Sequence, residues 1–297
     1  MPRAMVLCAG FGTRMRPLTD ERPKPLLPFG DRTLLEHVLE GLGAELLPAV
    51  VNAHHLVDVF IAITGSYSSI ARVIVEAQIR GTAGGVAGAR AWLGPAPVVV
   101  TNGDVLASFD PGALAARTRP ESLCLAVSPR AMGEGTVGLG AGGEVVRLRG
   151  ERFGAEVTSG DYVGTLALGA DVLAELPERG CLIGDVTLPL LRRGVVVRTH
   201  PVEGRWFAPG DGIRDYLDEH AAWLLERFGG PLDSYVAPDA SVAPGVELIA
   251  SVLGAGASVL GRGRVERVVA WPGARVVAPL ADAVVTTAGA VVHRPMA

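Results

Sequence analysis

Along the first two-thirds of the chain, short β-branched apolar runs alternate with stretches whose apolar residues recur every three or four positions. The runs at 4–8, 47–51, 73–76 and 98–101 read as buried strands, and the stretches at 34–43, 56–64 and 84–93 read as helices. Such alternation predicts an α/β fold with a mainly parallel, Rossmann-like sheet covered by helices on both faces. Right-handed crossovers then line the strand C-termini along one rim, the rim where open α/β sheets bind ligands. The middle of the chain is mixed, with strands over 122–127 and 161–168, a hairpin over 138–148 turned at Gly142-Gly143, and helices over 169–176 and 185–193. A long helix, Ile213–Phe228, ends at Gly229-Gly230-Pro231.

Beyond Pro231 the helical period disappears. Val236, Val242 and Leu248, then Leu253, Val259 and Val265, then Ala270 and Val276 recur near a period of six, punctuated by Pro238-Asp239, Pro244-Gly245 and Pro272-Gly273. Short strands at hexad spacing predict a degenerate left-handed parallel β-helix, with an irregular β tail as the alternative. The break at 229–233 predicts two domains, 1–230 and 231–297.

Composition narrows the setting. The 297 residues carry a net charge of −4, which gives no basic surface for nucleic acid. No apolar run reaches the 18 or so residues of a membrane span, and the apolar stretch at 4–9 is too short for a signal peptide. Cys8, Cys124 and Cys181 are widely spaced, as expected of reduced thiols in the cytoplasm rather than of a disulfide or zinc framework. Lys24 is the one lysine beside 26 arginines, and Asn52, Asn102 and Gln78 are the whole complement of Asn and Gln. A bias that removed these residue types elsewhere predicts that the four survivors ring one ligand pocket.

Three segments carry chemistry. The first is Leu7-Cys-Ala-Gly-Phe-Gly-Thr-Arg-Met-Arg-Pro-Leu-Thr-Asp-Glu-Arg-Pro-Lys-Pro-Leu-Leu-Pro28, directly after the first strand. Its glycines let backbone N–H groups approach an anion, Thr13 and Arg14 add a hydroxyl and a guanidinium fork, and Pro23 and Pro25 stiffen the chain around Lys24. It is neither a dinucleotide fingerprint nor a P-loop, since the third glycine and the Gly-Lys-Ser/Thr are missing. The second is Glu76-Ala-Gln-Ile-Arg-Gly-Thr-Ala-Gly-Gly-Val86, where Gly81 lets the backbone approach a flat ligand and a helix opens; helix packing is the alternative use of these glycines. The third is Val98-Val-Val-Thr-Asn-Gly-Asp104, a buried strand that delivers a carboxylate suited to a hard cation, or to a turn cap. Asn52-Ala-His54-His55, after the second strand, reads as packing and capping.

Taken whole, the first segment resembles the opening motif of the sugar-phosphate nucleotidylyltransferases, Gly-x-Gly-Thr-Arg-Leu-x-Pro-Leu-Thr followed by Pro-Lys-Pro-Leu. The second segment is similar to that family's Gly-Thr-Ala-Gly motif, in the form seen in its mannose-1-phosphate guanylyltransferase branch. The resemblance implies an enzyme with the fold of nucleotide-diphospho-sugar transferases, converting an NTP and a sugar 1-phosphate into an NDP-sugar and pyrophosphate with Mg²⁺. It implies that Leu7, Ala9, Gly10, Gly12, Thr13, Glu76, Gly81 and Thr82 bind the nucleotide. Arg14 would hold the departing pyrophosphate, Lys24 would bridge the α-phosphate and the sugar phosphate, and Asp104 would hold the metal. Asn102, Glu151 and Gly164 fall where the family contacts the sugar, although a surface charge and a plain strand glycine explain Glu151 and Gly164 equally well.

One departure stands against full activity. The family's Gly-Tyr/Phe-Trp-x-Asp supplies a second metal carboxylate, and Ala208 stands in its place. Asp211 is either a substitute ligand or the cap of the helix that follows. The competing expectation is therefore a weak or inactive nucleotide-binding subunit of the same fold. Acyl transfer by the C-terminal domain is disfavoured, since His293 is its one histidine. Flat faces of small apolar residues suit that domain to packing on the catalytic part or to a homo-oligomer contact.

Overall fold

The structure is a computed structural model and describes residues 3–95, 97–208 and 212–295. The chain forms two compact units, one from the residues up to Gly10 and His37–Phe207, the other from Phe11–Glu36 and the chain from Ala208 onward.

The first unit is built on a ten-stranded mixed sheet. Its parallel heart consists of β1 (Ala4–Leu7), β2 (Ala49–Ala53), β3 (Ile70–Val75) and β4 (Val98–Asn102), in the spatial order β4-β1-β2-β3. The continuous Val98-Val99-Val100 run suits a strand covered on both faces, and all three side chains are buried. The remaining strands are β5 (Leu123–Arg130), β6 (Val137–Leu139), β7 (Val145–Leu148), β8 (Glu151–Arg152), β9 (Thr158–Leu168) and β10 (Arg198–Pro201). Strand β9 runs antiparallel to β4 and to β5, and β10 runs parallel to β5. β4 and β5 therefore point the same way, and the sheet has two distinct rims.

Helices cover the sheet much as the apolar period predicts, with two shifts. The helix expected at 84–93 starts earlier, as Gly81–Ala89, and is called α4 because Leu18–Glu21 (α1), Leu34–Gly41 (α2) and Val57–Thr64 (α3) precede it. The helix expected at 185–193 is a π-helix over Leu182–Thr187 that runs into a short α-helix, Leu188–Arg192. The π turn is closed by side chains: the Asp185 carboxyl accepts the Cys181 N–H at 2.7 Å, and the Thr187 hydroxyl donates to the Leu182 carbonyl at 2.8 Å.

In the second unit, Ile213–Phe228 forms the expected long helix, and strands follow from Tyr235 to His293. Those up to Val285 pair in parallel, at first at a step of 17 residues: Tyr235 with Val252, Val252 with Val269, Ser241 with Ser258, Ser258 with Arg275; the last, Val291–His293, pairs antiparallel with Arg275–Val285. Two hexads and a pentad make one such turn. The two breaks in the six-residue pattern, at 248–253 and 265–270, are therefore part of the repeat. After Gly261 the register shifts and the step shortens to 15, as in Val265 with Leu280. Leu253, Val259, Val265, Ala270 and Val276 are all buried, whereas Val236 and Val242 of the first turn stay exposed.

Candidate functional site

In the first unit, the C-terminal rim of the parallel strands gathers several of the expected residues. Leu7 ends β1, flanked in register by Asn52 of β2 on one side and Asn102 of β4 on the other. The loop beyond it continues through buried Cys8 and Ala9 to exposed Gly10.

A buried polar chain anchors this loop from below. The Asn52 side chain accepts the Cys8 N–H at 2.8 Å and donates to Glu76 Oε1 at 2.6 Å. The other Glu76 oxygen accepts the Arg80 N–H at 3.3 Å, and the Glu76 carbonyl lies 2.7 Å from His54 Nδ1. Asn52 is 3% and Glu76 4% exposed. The Glu76 carboxyl group is thus directed into the protein, against Asn52 and Arg80. Motif order alone marked Glu76 as a nucleotide contact and gave Asn52 no partner. A buried polar residue at the end of each of two adjacent strands was the signal for the link.

The glycines of the second motif meet protein backbone. A Cβ on Gly81, whose φ is +76°, would lie 2.3 Å from the Gly180 carbonyl oxygen, and one on Gly84 would lie 2.4 Å from that of Glu178. The Thr82 hydroxyl accepts the Leu182 N–H at 2.8 Å, and Ala83 N–H donates to the Gly180 carbonyl at 2.9 Å. What Gly81 admits is therefore the 178–182 segment, a hundred residues away in sequence.

On the sheet side, Asn102 and Gly164 come together. Gly164 has φ +77° at an irregularity of β9, and a Cβ there would lie 2.8 Å from Asn102 Nδ2. Only glycine leaves room for that amide. Glu151 is held differently, in an ion pair with Arg192 whose Nε donates to it at 2.9 Å; this contact keeps its carboxyl below the usual carboxylate range. Gln78, one of the four rare residues, accepts from Arg179 at 2.7 Å on the surface.

Asp104 follows β4 after Gly103, whose N–H donates to the Leu7 carbonyl at 2.9 Å. Its side chain is half-buried, and its charge adds to burial in pushing the Cys8 thiol up. Phe207, the residue before Ala208, pairs with Leu106, two residues after Asp104. Asp211 lies outside the described residues.

In the second unit, the remainder of the first motif is an amphipathic loop. Gly12 is left-handed and caps a 3₁₀ turn, Thr13–Met15, and its carbonyl accepts from the Thr19 hydroxyl at 2.9 Å. Met15, Leu18, Leu26 and Leu27 are fully buried anchors, while Thr13 and Arg14 face solvent. The stem of Lys24 runs beside Gly12, where an added Cβ would lie 3.1 Å from Lys24 Cβ. A second 3₁₀ turn, Lys24–Leu26, fixes the lysine, with Leu27 N–H donating to its carbonyl at 3.1 Å. Helix α1 ends in the same unit, against the last turn of the C-terminal strands. Glu21 accepts the Ala288 N–H at 3.0 Å, Arg22 donates to the Thr287 hydroxyl at 2.9 Å, and the Arg22 guanidinium lies 5.2 Å from the ring centre of buried Trp271.

Comparison with known proteins ties these elements to a family. The Nucleotidyl transferase family model matches residues 3–135. N-acetylmuramate alpha-1-phosphate uridylyltransferase of Caulobacter vibrioides is 34% identical over 226 residues, which are 70% of this chain and 91% of that protein. The chain belongs to the sugar-phosphate nucleotidylyltransferases. As a member it is an enzyme that makes an NDP-sugar and pyrophosphate from an NTP and a sugar 1-phosphate. Mannose-1-phosphate guanyltransferase of Aspergillus fumigatus is 36% identical over 114 residues, 36% of this chain, and the match spans 31% of that protein's length. The crystal structure of HddC from Yersinia pseudotuberculosis superposes with a TM-score of 0.59 at 18% identity over 74% of this chain and 98% of that one, a likeness of fold. The comparisons favour the enzyme over the binding-subunit alternative.

Proposed function

We propose that the nucleotide is UTP and that the acceptor is the 1-phosphate of an N-acetylated sugar. The support is the uridylyltransferase match, which spans 91% of that relative, while the guanyltransferase match spans 31% of its own. GTP with mannose 1-phosphate is the second reading, carried by the form of the Gly81-Thr-Ala-Gly84 motif.

Arg14 and Lys24 are assigned to the phosphates. The observation that carries this is the build of their loop: buried Met15, Leu18, Leu26 and Leu27 anchor it, and Arg14 is left in solvent. Gly10, Gly12 and Thr13 supply backbone N–H groups and a hydroxyl to the same phosphates, and Leu7 and Ala9 border the nucleoside. Gly81 and Thr82 serve through the 178–182 segment they hold, and Glu76 by positioning the loop through Asn52. Asn102 with Gly164 is assigned to the sugar, as is Glu151 in its pair with Arg192. The sugar-phosphate oxygen attacks the α-phosphorus in line, and pyrophosphate leaves with the bonding electrons of the broken P–O bond. The protein's work is to hold two mutually repelling anions in line and to offset their charge.

A divalent cation such as Mg²⁺ fits a limited donor set here. Among the described residues there is no group of three His, Cys, Asp or Glu side chains that could hold a metal. Mg²⁺ needs less, since it is commonly bound through one or two carboxylates together with substrate phosphates. Asp104 would hold it, with Asp211 as a further candidate, and when bound it supplies charge neutralisation at the phosphates. One carboxylate in place of two predicts weak metal binding. Restoring the second with Ala208→Asp is expected to lower the Mg²⁺ concentration for half-maximal pyrophosphate release about tenfold, and Asp104→Ala to abolish release at any Mg²⁺ concentration. Unchanged Mg²⁺ dependence in both variants contradicts the metal assignment.

Further assignments complete the reading. Residues 1–230 carry the chemistry, and 231–297 form a left-handed β-helix; the 17-residue parallel step supports a coil. The coil serves as a homo-oligomer contact. The enzyme works in the cytoplasm without nucleic-acid or membrane partners. Three free cysteines support the cytoplasmic assignment.

A further inference from the structure

A second cluster of positive charge lies on the other rim of the sheet. A cavity of about 230 Å³ is lined by Arg117, Arg119 and Arg198, with Ser122, Val196 and the carboxylate-bearing Glu121. Arg117 and Arg119 lie just past the end of the helix Pro111–Ala116, and Arg198 opens β10. The strand register fixes where this is. Leu123, in the cavity wall, pairs with Leu168, and Leu168 pairs with Val98, the first residue of β4. Asn102 and Asp104 lie at the opposite end of β4. Val98 and Asn102 lie four residue steps apart along the strand, a distance of about 13 Å.

The three guanidiniums are poorly neutralised. Arg119 and Arg198 have no side-chain hydrogen bond or ion pair among the described residues, and Arg117 donates to the Thr199 carbonyl at 3.4 Å. Three positive groups against one carboxylate leave a net positive cavity, and guanidinium forks match phosphate oxygens bidentately. The charge also acts inward: Arg117 and Arg198 both oppose the effect of burial on the Cys124 thiol, which is nonetheless pushed up to about 12. Size limits the occupant. The cavity is smaller than the roughly 300–1,000 Å³ of drug-sized ligand sites, too small for a nucleotide and adequate for a phosphate or a short phosphate ester. Leu123, Val195 and Val196 supply an apolar wall for a short carbon skeleton.

We propose that the cavity bounded by Arg117, Arg119 and Arg198 is a second anion site, separate from the reaction site, that binds a small phosphate-bearing molecule. The test is calorimetric titration of the full chain with inorganic phosphate at low ionic strength, in three proteins. Lys24→Ala, which impairs the reaction loop, is expected to keep a saturable phosphate heat that weakens with added salt. The double variant Arg119→Gln/Arg198→Gln in that background is expected to bind phosphate at least tenfold more weakly. Val196→Asp in the same background adds a carboxylate at an exposed position of the cavity wall and is expected to abolish the heat without dependence on the arginines for folding. No saturable heat in Lys24→Ala, or undiminished affinity in the two cavity variants, overturns the proposal.

Discussion

Lys24→Ala is expected to lower pyrophosphate release about a thousandfold and to move the melting temperature by no more than about 3 °C. The size follows from the task of the residue. Removing one preorganised electrostatic donor from a reaction centre costs roughly 10²–10³ in rate, about 3–4 kcal/mol, and Lys24 is expected at the upper end because it is assigned to two phosphates at once. Stability is spared because the hold on this loop comes from Met15, Leu18, Leu26 and Leu27, all fully buried, and the 3₁₀ turn at Lys24–Leu26 is closed by backbone hydrogen bonds. Lys24→Arg restores the charge and is expected to recover only part of the rate, since a planar fork does not sit between two phosphates as a compact ammonium does. Steady-state pyrophosphate release and a thermal melt decide the matter. Turnover within about tenfold of the wild type in Lys24→Ala removes the lysine from the mechanism.

Glu76→Ala is expected to act mainly on stability. The substitution leaves Asn52 Nδ2 and the Arg80 N–H without the acceptors that now receive them at 2.6 Å and 3.3 Å. Each buried donor left unsatisfied costs about 1–3 kcal/mol, so a loss of roughly 3 kcal/mol is expected, near 5 °C in melting temperature for a protein of this size. Glu76→Gln keeps one acceptor oxygen and lies between. Because Asn52 also holds the Cys8 N–H at 2.8 Å, the surviving folded Glu76→Gln enzyme is expected to show a raised KM for the NTP as the loop loses its anchor. A melting temperature within about 2 °C of wild type in Glu76→Ala, measured by calorimetry, shows that the buried link carries no weight.

How far the fold was legible depends on how local each cause was. The strand at 98–101 and the helix Ile213–Phe228 are written in their own residues, a β-branched run and a helical period ended by glycine, and both form as expected. The π-helix over Leu182–Thr187 is not, because it is closed by Asp185 and Thr187 acting on backbone groups that no apolar pattern marks. Helix α4 starts three residues before its expected place because Gly81 is shaped by Gly180, a partner far away in sequence. The C-terminal period was visible, but its breaks looked like degeneration until the pairing showed a 17-residue turn.

The scarce residues divide the same way. Asn52 and Asn102 do flank Leu7, one holding the loop and the other covering Gly164, whereas Gln78 meets Arg179 at the surface. Scarcity marked Asn52 because an amide that donates and accepts at once has no ready substitute there. It marked Gln78 without such a need. The shape of the motif loop, by contrast, has short-range causes: a left-handed glycine, a turn and a lysine held by its neighbours.

Nucleotidyl transfer to a sugar 1-phosphate is tested most directly by pyrophosphate release from the full chain with Mg²⁺, across the four common NTPs and a panel of sugar 1-phosphates. Release is expected to require both substrates, to be strongest with UTP and an N-acetylated sugar 1-phosphate, and to be lost in Lys24→Ala. No release with any pair of substrates, or release that is independent of the sugar phosphate, contradicts it.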